Sequence, residues 1–293
     1  MADGLEFRGI KRITYIMNIS AVKLLSKRFK QATNDELRRR TILRVVGERG
    51  TGKTRLGLTA PGPTLYQSFD YGLEGVIEPF VKEGKEIYPQ QYDWHPGGRE
   101  ATDDKGDFNQ DYAIELRKKF EEDFYYALDN SIRTIVWDKE TDIWEMYRYA
   151  EFGGPSDAPK DYPALNQRYM SIINAVKSLD VNLILIQGMR DEWITKKRTK
   201  ASGQVVDSPG PSGRRVPGGF SRLDELVFAE VCCVREGRDF YYDFYMEGDP
   251  SFGKSRQNVD LCGQRFGQAD LGEMTFVKLG TLLINDSEES DWQ

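Results

Sequence analysis

The chain has 293 residues, 39% of them hydrophobic and 12% aromatic, enough for a sizeable core in one large or two small domains. Its 47 acidic and 41 basic residues give a formal charge of −6, which argues against a globally basic nucleic-acid binder and leaves room only for a local basic patch. No run approaches about 18 apolar residues and the N-terminus has no signal-peptide core, so a cytoplasmic chain without a membrane partner is expected. Three cysteines (Cys232, Cys233, Cys262) are an odd number without metal-ligand spacing, and the adjacent pair in FAEVCCV reads as buried reduced thiols. The single histidine, His95 in WHPGG, reads as a surface-loop residue, so His-based catalysis and a His-ligated metal are not expected.

Residues 1–40 read as an N-terminal extension, with a strand candidate in FRGIKRITYIMNI and a basic-faced helix in AVKLLSKRFKQATNDELRRR. TILRVV (Thr41–Val46) is a short β-branched run suited to a buried strand. GERGTGKT follows, and RLGLTA is helix-compatible until Pro61-Gly62-Pro63 stops it. TLYQSFD (Thr64–Asp70) is the next strand, and residues 83–110, rich in Gly, Pro, Asp and Asn, read as an irregular insertion. Ile114, Leu116, Phe120, Phe124 and Leu128 mark an amphipathic helix over Asp111–Asn130.

SIRTIVWD (Ser131–Asp138) is a third strand, ending on a carboxylate. Leu165–Leu179 reads as a helix with Tyr169, Ile172, Ile173 and Val176 on one stripe, and VNLILIQ (Val181–Gln187) as a strand buried on both faces if parallel. Residues 190–219 form a long loop rich in basic residues, Gly, Ser and Pro. DELVFAEVCCV, RDFYYDFYME and TFVKLGTLLI read as an antiparallel C-terminal extension, and residues 281–293 as an acidic tail. The alternation of strands and helices predicts an α/β fold with a mostly parallel sheet flanked by helices.

Gly47-x4-Gly52-Lys53-Thr54 satisfies G-x-x-x-x-G-K-[ST] in full, after a strand and before a helix, the context of a phosphate-binding loop. Glycines let successive N–H groups of Gly47, Glu48, Arg49, Gly50, Thr51, Gly52, Lys53, Thr54 and Arg55 converge on an anion. Lys53 is expected at the β- and γ-phosphates of ATP and the Thr54 hydroxyl on Mg²⁺. Asp138, at the end of what is expected to be a neighbouring strand, orients the ion's water ligands. Two other classes lack their signatures, since no N-K-x-D reads guanine and no arginine-rich lid marks a kinase. Lys139 occupies the place where many AAA-type ATPases and helicases carry a water-activating glutamate.

From residue 41 to 280 the arrangement resembles the RecA-like P-loop ATPases, and more closely the phage nucleotide-binding proteins of that class that act in single-strand annealing and recombination. The residues that carry the resemblance are the loop just described, SFDYG (Ser68–Gly72), the strand-end Asp138 and LILIQ ending on Gln187. The resemblance implies an ATPase, of the host-cell cytoplasm if phage-encoded, that assembles into a ring or filament. Its catalytic carboxylate ends the second strand, where Asp70 fits best, with Glu74 and then Glu140 behind it; an aspartate here implies slow turnover. Gln187 takes the place of the polar group that senses the γ-phosphate and relays it to a DNA-binding loop.

Arg190, Trp193, Lys196, Lys197, Arg198, Lys200, Arg214 and Arg215 then supply single-stranded DNA contacts. Lys254 or Arg256 in GKSRQN supplies a finger to the neighbouring subunit's site. The acidic tail with Trp292 is either a solubilising segment or, by similarity to single-strand-binding proteins, a tip that recruits a replication partner. An assembly or switch protein that uses nucleotide without DNA is the rival expectation, and a small-molecule kinase the third.

Overall fold

The computed structural model describes residues 40–98, 101–102, 108–154, 162–199, 205–247 and 249–292. The extension expected before Arg40 lies outside them.

In chain order the elements are β1 (Ile42–Val46), α1 (Lys53–Leu58), β2 (Thr64–Ser68), α2 (Glu78–Lys82), β3 (Ile87–Gln91), α3 (Gln110–Asp129), β4 (Thr134–Asp138), α4 (Glu140–Phe152), α5 (Tyr162–Val176) and β5 (Asn182–Ile186). They continue with β6 (Met189–Thr199), β7 (Val205–Pro217), β8 (Ala229–Glu236), β9 (Asp239–Asp243), β10 (Arg265–Gly267), α6 (Gln268–Leu271) and α7 (Phe276–Leu283). An eight-stranded sheet runs in the order β10-β9-β8-β1-β5-β4-β2-β3, with β6 and β7 forming a separate two-stranded ribbon. From β8 to β3 all neighbours are parallel, and β9 and β10 continue the sheet antiparallel.

β1, β2, β4 and β5 are buried at every position, the condition of central strands covered on both faces. Their side chains divide with the period of two that a strand imposes. Ile42, Leu65, Ile135, Trp137, Leu183 and Leu185 pack against α3, α4 and α5. Leu43, Val45, Tyr66, Val136, Ile184 and Ile186 face the other way, with Leu56 of α1, Phe80 of α2, and Phe276, Leu279 and Leu283 of α7. The register sets Val45 and Asp138 beside Ile186, and Ser68 beside Asp138, so the carboxyl ends of four strands finish in line. That edge is where open α/β sheets present their ligand sites.

The structure corrects four expectations. β4 does not neighbour β1, because β5 lies between them. The segment from 83 to 110 contains the parallel edge strand β3 and the buried rings of Tyr92 and Trp94. β8 is parallel to β1, and TFVKLGTLLI is helical, with Phe276, Leu279 and Leu283 buried at helical spacing behind a Thr275 cap. The acidic tail folds back, so that Trp292 is fully buried against Phe276 and lies over Gly280, where any side chain would collide with the indole. The indole N–H donates to Ser287 Oγ (3.2 Å), so Trp292 is a packed side chain, while Asp286, Glu288 and Glu289 before it stay exposed.

Candidate functional site

A cleft of about 770 Å³ opens at the carboxyl ends of the central strands. It is lined by the loop between β1 and α1, by Asp70, Asp138 and Lys139 from adjacent strand ends, and by Arg215 from the ribbon. Gly47 leaves β1 at φ 150°, and a side chain there would collide with the Cys233 carbonyl oxygen of β8, so the close approach of loop and sheet requires glycine. Gly50 (φ 78°) and Gly52 (φ 88°) turn the loop into α1. Among the described residues, the N–H groups from Glu48 through Arg55 donate to no protein acceptor. Backbone donors are seldom left without partners, so this row is free for an anion or for water.

Lys53 Nζ donates to the carbonyl oxygens of Gly47 (2.8 Å) and Glu48 (2.7 Å). Burial lowers its pKa, with the Asp138 and Glu48 carboxylates acting in the opposite direction. The Thr54 hydroxyl donates to Asp138 Oδ2 (3.1 Å), and the same oxygen accepts from the Tyr66 hydroxyl (2.7 Å). Asp138 is 4% exposed; desolvation raises its pKa against the Tyr66 hydrogen bond. The loop and the carboxylate at 138 are therefore joined directly although their strands are not neighbours. Cys233 beneath the loop is fully enclosed, which pushes its thiol pKa up, and Cys232 is raised to about 11, so both are inert thiols at neutral pH.

Of the three carboxylates expected as water activators, Asp70 alone lines the cleft. It accepts the Gly72 N–H (2.9 Å) and lies 3.8 Å from Lys139 Nζ, which also reaches Asp142 at 3.3 Å. Glu74 is exposed outside the cleft lining, and Glu140 is fully buried.

Gln187 is not in the cleft. Ile186 and Gly188 line it, while the Gln187 amide is fully buried, accepting from Arg44 Nε (2.7 Å) and donating to Glu140. Arg44 pairs with Glu230 at 2.6 Å, and Glu140 also accepts from the Tyr169 hydroxyl (2.7 Å) and the Phe220 N–H (3.3 Å). Any side chain at Gly219 (φ 79°) would collide with Glu140 and Gln187, so the chain leaving β7 can cover this network only as glycine. Desolvation raises the pKa of both Glu140 and Glu230. The expected γ-phosphate contact of Gln187 is thereby corrected, since its side chain belongs to a closed network.

Within the 190–219 segment, β6 and β7 pair antiparallel. The segment's side chains are described through Lys197 and again from Asp207, so Arg198 is described by backbone only and Lys200 lies outside the described residues. Arg190 and Lys197 are exposed, Trp193 is 65% exposed, and Lys196 donates to the Pro211 carbonyl. Arg214 lies 3.8 Å from Glu192. Arg215 departs from the expected DNA-facing group and turns to the cleft, gripping Glu48 through Nε (2.9 Å) and Nη2 (3.1 Å).

Among the loop residues, Thr51 is turned onto the Glu48 carbonyl (2.9 Å) and Gly52 lies outside the lining. Arg55 is outside it too, with its guanidinium over the Phe80 ring. Lys254 and Arg256 are exposed at the opposite end of the sheet. There the Arg256 N–H bonds the Phe228 carbonyl (2.7 Å), and the Phe228 N–H bonds Ile42 at the start of β1 (2.7 Å).

Tyr66 and Lys139 were not expected as site residues. Only the alternation of β2 turns Tyr66 toward Asp138, and the motif that singles out Asp138 does not mark the lysine after it. Among the described residues no group of three His, Cys, Asp or Glu side chains forms a metal cage. A magnesium ion held by Thr54, water-linked Asp138 and substrate phosphates does not require one. Comparison with protein-family models and with curated proteins finds no match.

Proposed function

We propose that the protein is a magnesium-dependent ATPase with a RecA-like core of the phage nucleotide-binding type, binding a triphosphate on Gly47–Thr54 and single-stranded DNA on the hairpin. The observation that carries this reading is the row of N–H groups without protein acceptors beside Lys53, with the Thr54 hydroxyl already on Asp138. Asp70, two residues past β2, lines the same cleft, as the resemblance to that class expects of its catalytic carboxylate. Lys53 would exchange two backbone carbonyls for the phosphates, Thr54 and Asp138 would hold a magnesium ion, which would supply charge neutralisation when bound, and Asp70 would orient the attacking water. The Lys139 ammonium lies between Asp70 (3.8 Å) and Asp142 (3.3 Å), beside the water-activating carboxylate.

The exposed Trp193 and the neighbouring Lys197 and Arg190 fit a single strand, through stacking and phosphate contacts. The test is ATPase rate with and without single-stranded DNA, together with DNA affinity across a salt series. Stimulation by DNA is expected, with a log-log salt slope that becomes shallower by about 1 to 2 when Lys196 and Lys197 become alanine. Turnover indifferent to DNA, with no DNA binding in ATP, favours the reading as a switch or assembly ATPase. The observation on that side is that carboxylates or carbonyls of the chain itself already engage Arg214, Arg215 and Lys196.

A further inference from the structure

Arg215 stands where the hairpin root meets the cleft. Its guanidinium holds Glu48 with two nitrogens, the Asp191 carboxylate with Nη1 (3.0 Å) and the Met189 carbonyl with Nη2 (2.8 Å). Thus one side chain joins the loop, the start of β6 and the end of β7. Opposite Glu192 the other strand spends three residues, Ser212, Gly213 and Arg214, between the Trp193–Pro211 and Asp191–Arg215 pairs. A bulge of this kind re-aims the residue beside it, and here that residue is Arg215. Glu48 is tied to the loop at its other end, where its carbonyl accepts from Lys53 Nζ and Thr51 Oγ1.

We propose that Arg215 is a sensing residue supplied in cis by the hairpin: it exchanges the carboxylates of Glu48 and Asp191 for the terminal phosphate of a bound triphosphate, and so couples the hairpin to occupancy of the cleft. This rests on the nucleotide-binding reading above. The side chains of Arg215, Glu48 and Asp191 are 45%, 56% and 62% exposed, so the present pairing is a solvated one that a competing anion can displace. A terminal phosphate offers the same forked acceptor geometry with more charge. Once Arg215 leaves, Glu48 and Asp191 lose the cation they share, and the hairpin root loses its hold on the loop. A diphosphate is one phosphoryl group shorter and leaves Arg215 on its carboxylates. In this arrangement the relay expected of Gln187 passes through Arg215.

The test compares binding of magnesium ADP and of the magnesium β,γ-imido analogue of ATP to the full-length protein, its Arg215→Ala variant and its Lys53→Ala variant. The second readout is the rate of tryptic cleavage in the hairpin with each ligand. The wild-type chain is expected to prefer the triphosphate analogue and to change its hairpin cleavage rate at least about threefold when it binds. Arg215→Ala is expected to lose about tenfold in analogue affinity and none for ADP, with cleavage no longer responding. An unchanged analogue-to-ADP ratio, or a cleavage response that survives in Arg215→Ala, overturns the proposal while leaving nucleotide binding in place. Failure of the wild-type chain to bind either nucleotide, as expected only of Lys53→Ala, overturns both.

Discussion

Two polar regions lie within a few residues of each other along the same strands, and they are built on opposite terms. Beneath the sheet, Glu230, Arg44, Gln187, Glu140 and Tyr169 form a chain in which each group has a protein partner and is buried. At the strand ends, Lys53, Lys139 and Arg215 are also paired, but with carbonyls or carboxylates, Asp70 among them, in an open cleft. In the closed region desolvation makes any broken pair expensive and fixes each side chain in place. In the open region the partners are exchangeable, so a ligand can take them over at little cost. A perturbed group is thus not always an accessible one: Glu140 has a raised pKa and no access, whereas Asp70 lines the open cleft with the loop between β1 and α1.

The contrast breaks first where the closed network is cut. Arg44→Met leaves Glu230 buried without its cation and is expected to cost about 3–5 kcal/mol in denaturant unfolding. A loss under about 1 kcal/mol would mean that the network is not sealed.

Asp70→Asn keeps the acceptor for the Gly72 N–H and is expected to lower ATP turnover about 100-fold while nucleotide affinity and stability stay near those of the wild type. Turnover unaffected by this change would remove Asp70 from the chemistry.

The subtlest effect is a pH dependence. Between the ordinary glutamate pKa of 4.5 and the raised folded value, folded Glu140 keeps a proton that the unfolded chain has lost, so its contribution to stability falls as pH rises through that window. Glu140→Gln is expected to flatten the fall in unfolding free energy by up to about 1.4 kcal/mol per pH unit within the window. Parallel curves for variant and wild type above pH 4.5 would contradict the closed-network account.

The four central strands were legible because uninterrupted apolar runs have few other places to go in a chain of this size. β3 was not, since Ile87–Gln91 is a partly exposed edge strand containing Pro89 in a polar segment. TFVKLGTLLI is apolar enough to suit either a strand or a helix, and only packing against Trp292 and the face of the sheet that α1 and α2 also cover decides. The turn at Gly47–Gly52 could be read from the glycine spacing, and Asp138 from its place at the end of an apolar run, and the structure brings the two together through Thr54. Gln187 could be placed at a strand end but not on a face: a strand apolar at every position does not reveal its parity, and Ile186 rather than Gln187 takes the cleft side. Arg215 could not be placed at all, because its position depends on a hairpin register broken by a bulge.

The central claim is that the amides of residues 48–55 and the Lys53 ammonium hold a triphosphate. Equilibrium titration of magnesium ATP into the wild-type chain and into Lys53→Ala, with thermal unfolding of both, tests it most directly. The account predicts saturable binding by the wild type, a loss of at least about 100-fold in Lys53→Ala, and unfolding temperatures that agree in the absence of nucleotide. Equal binding by the two proteins, or none by the wild type, would contradict it.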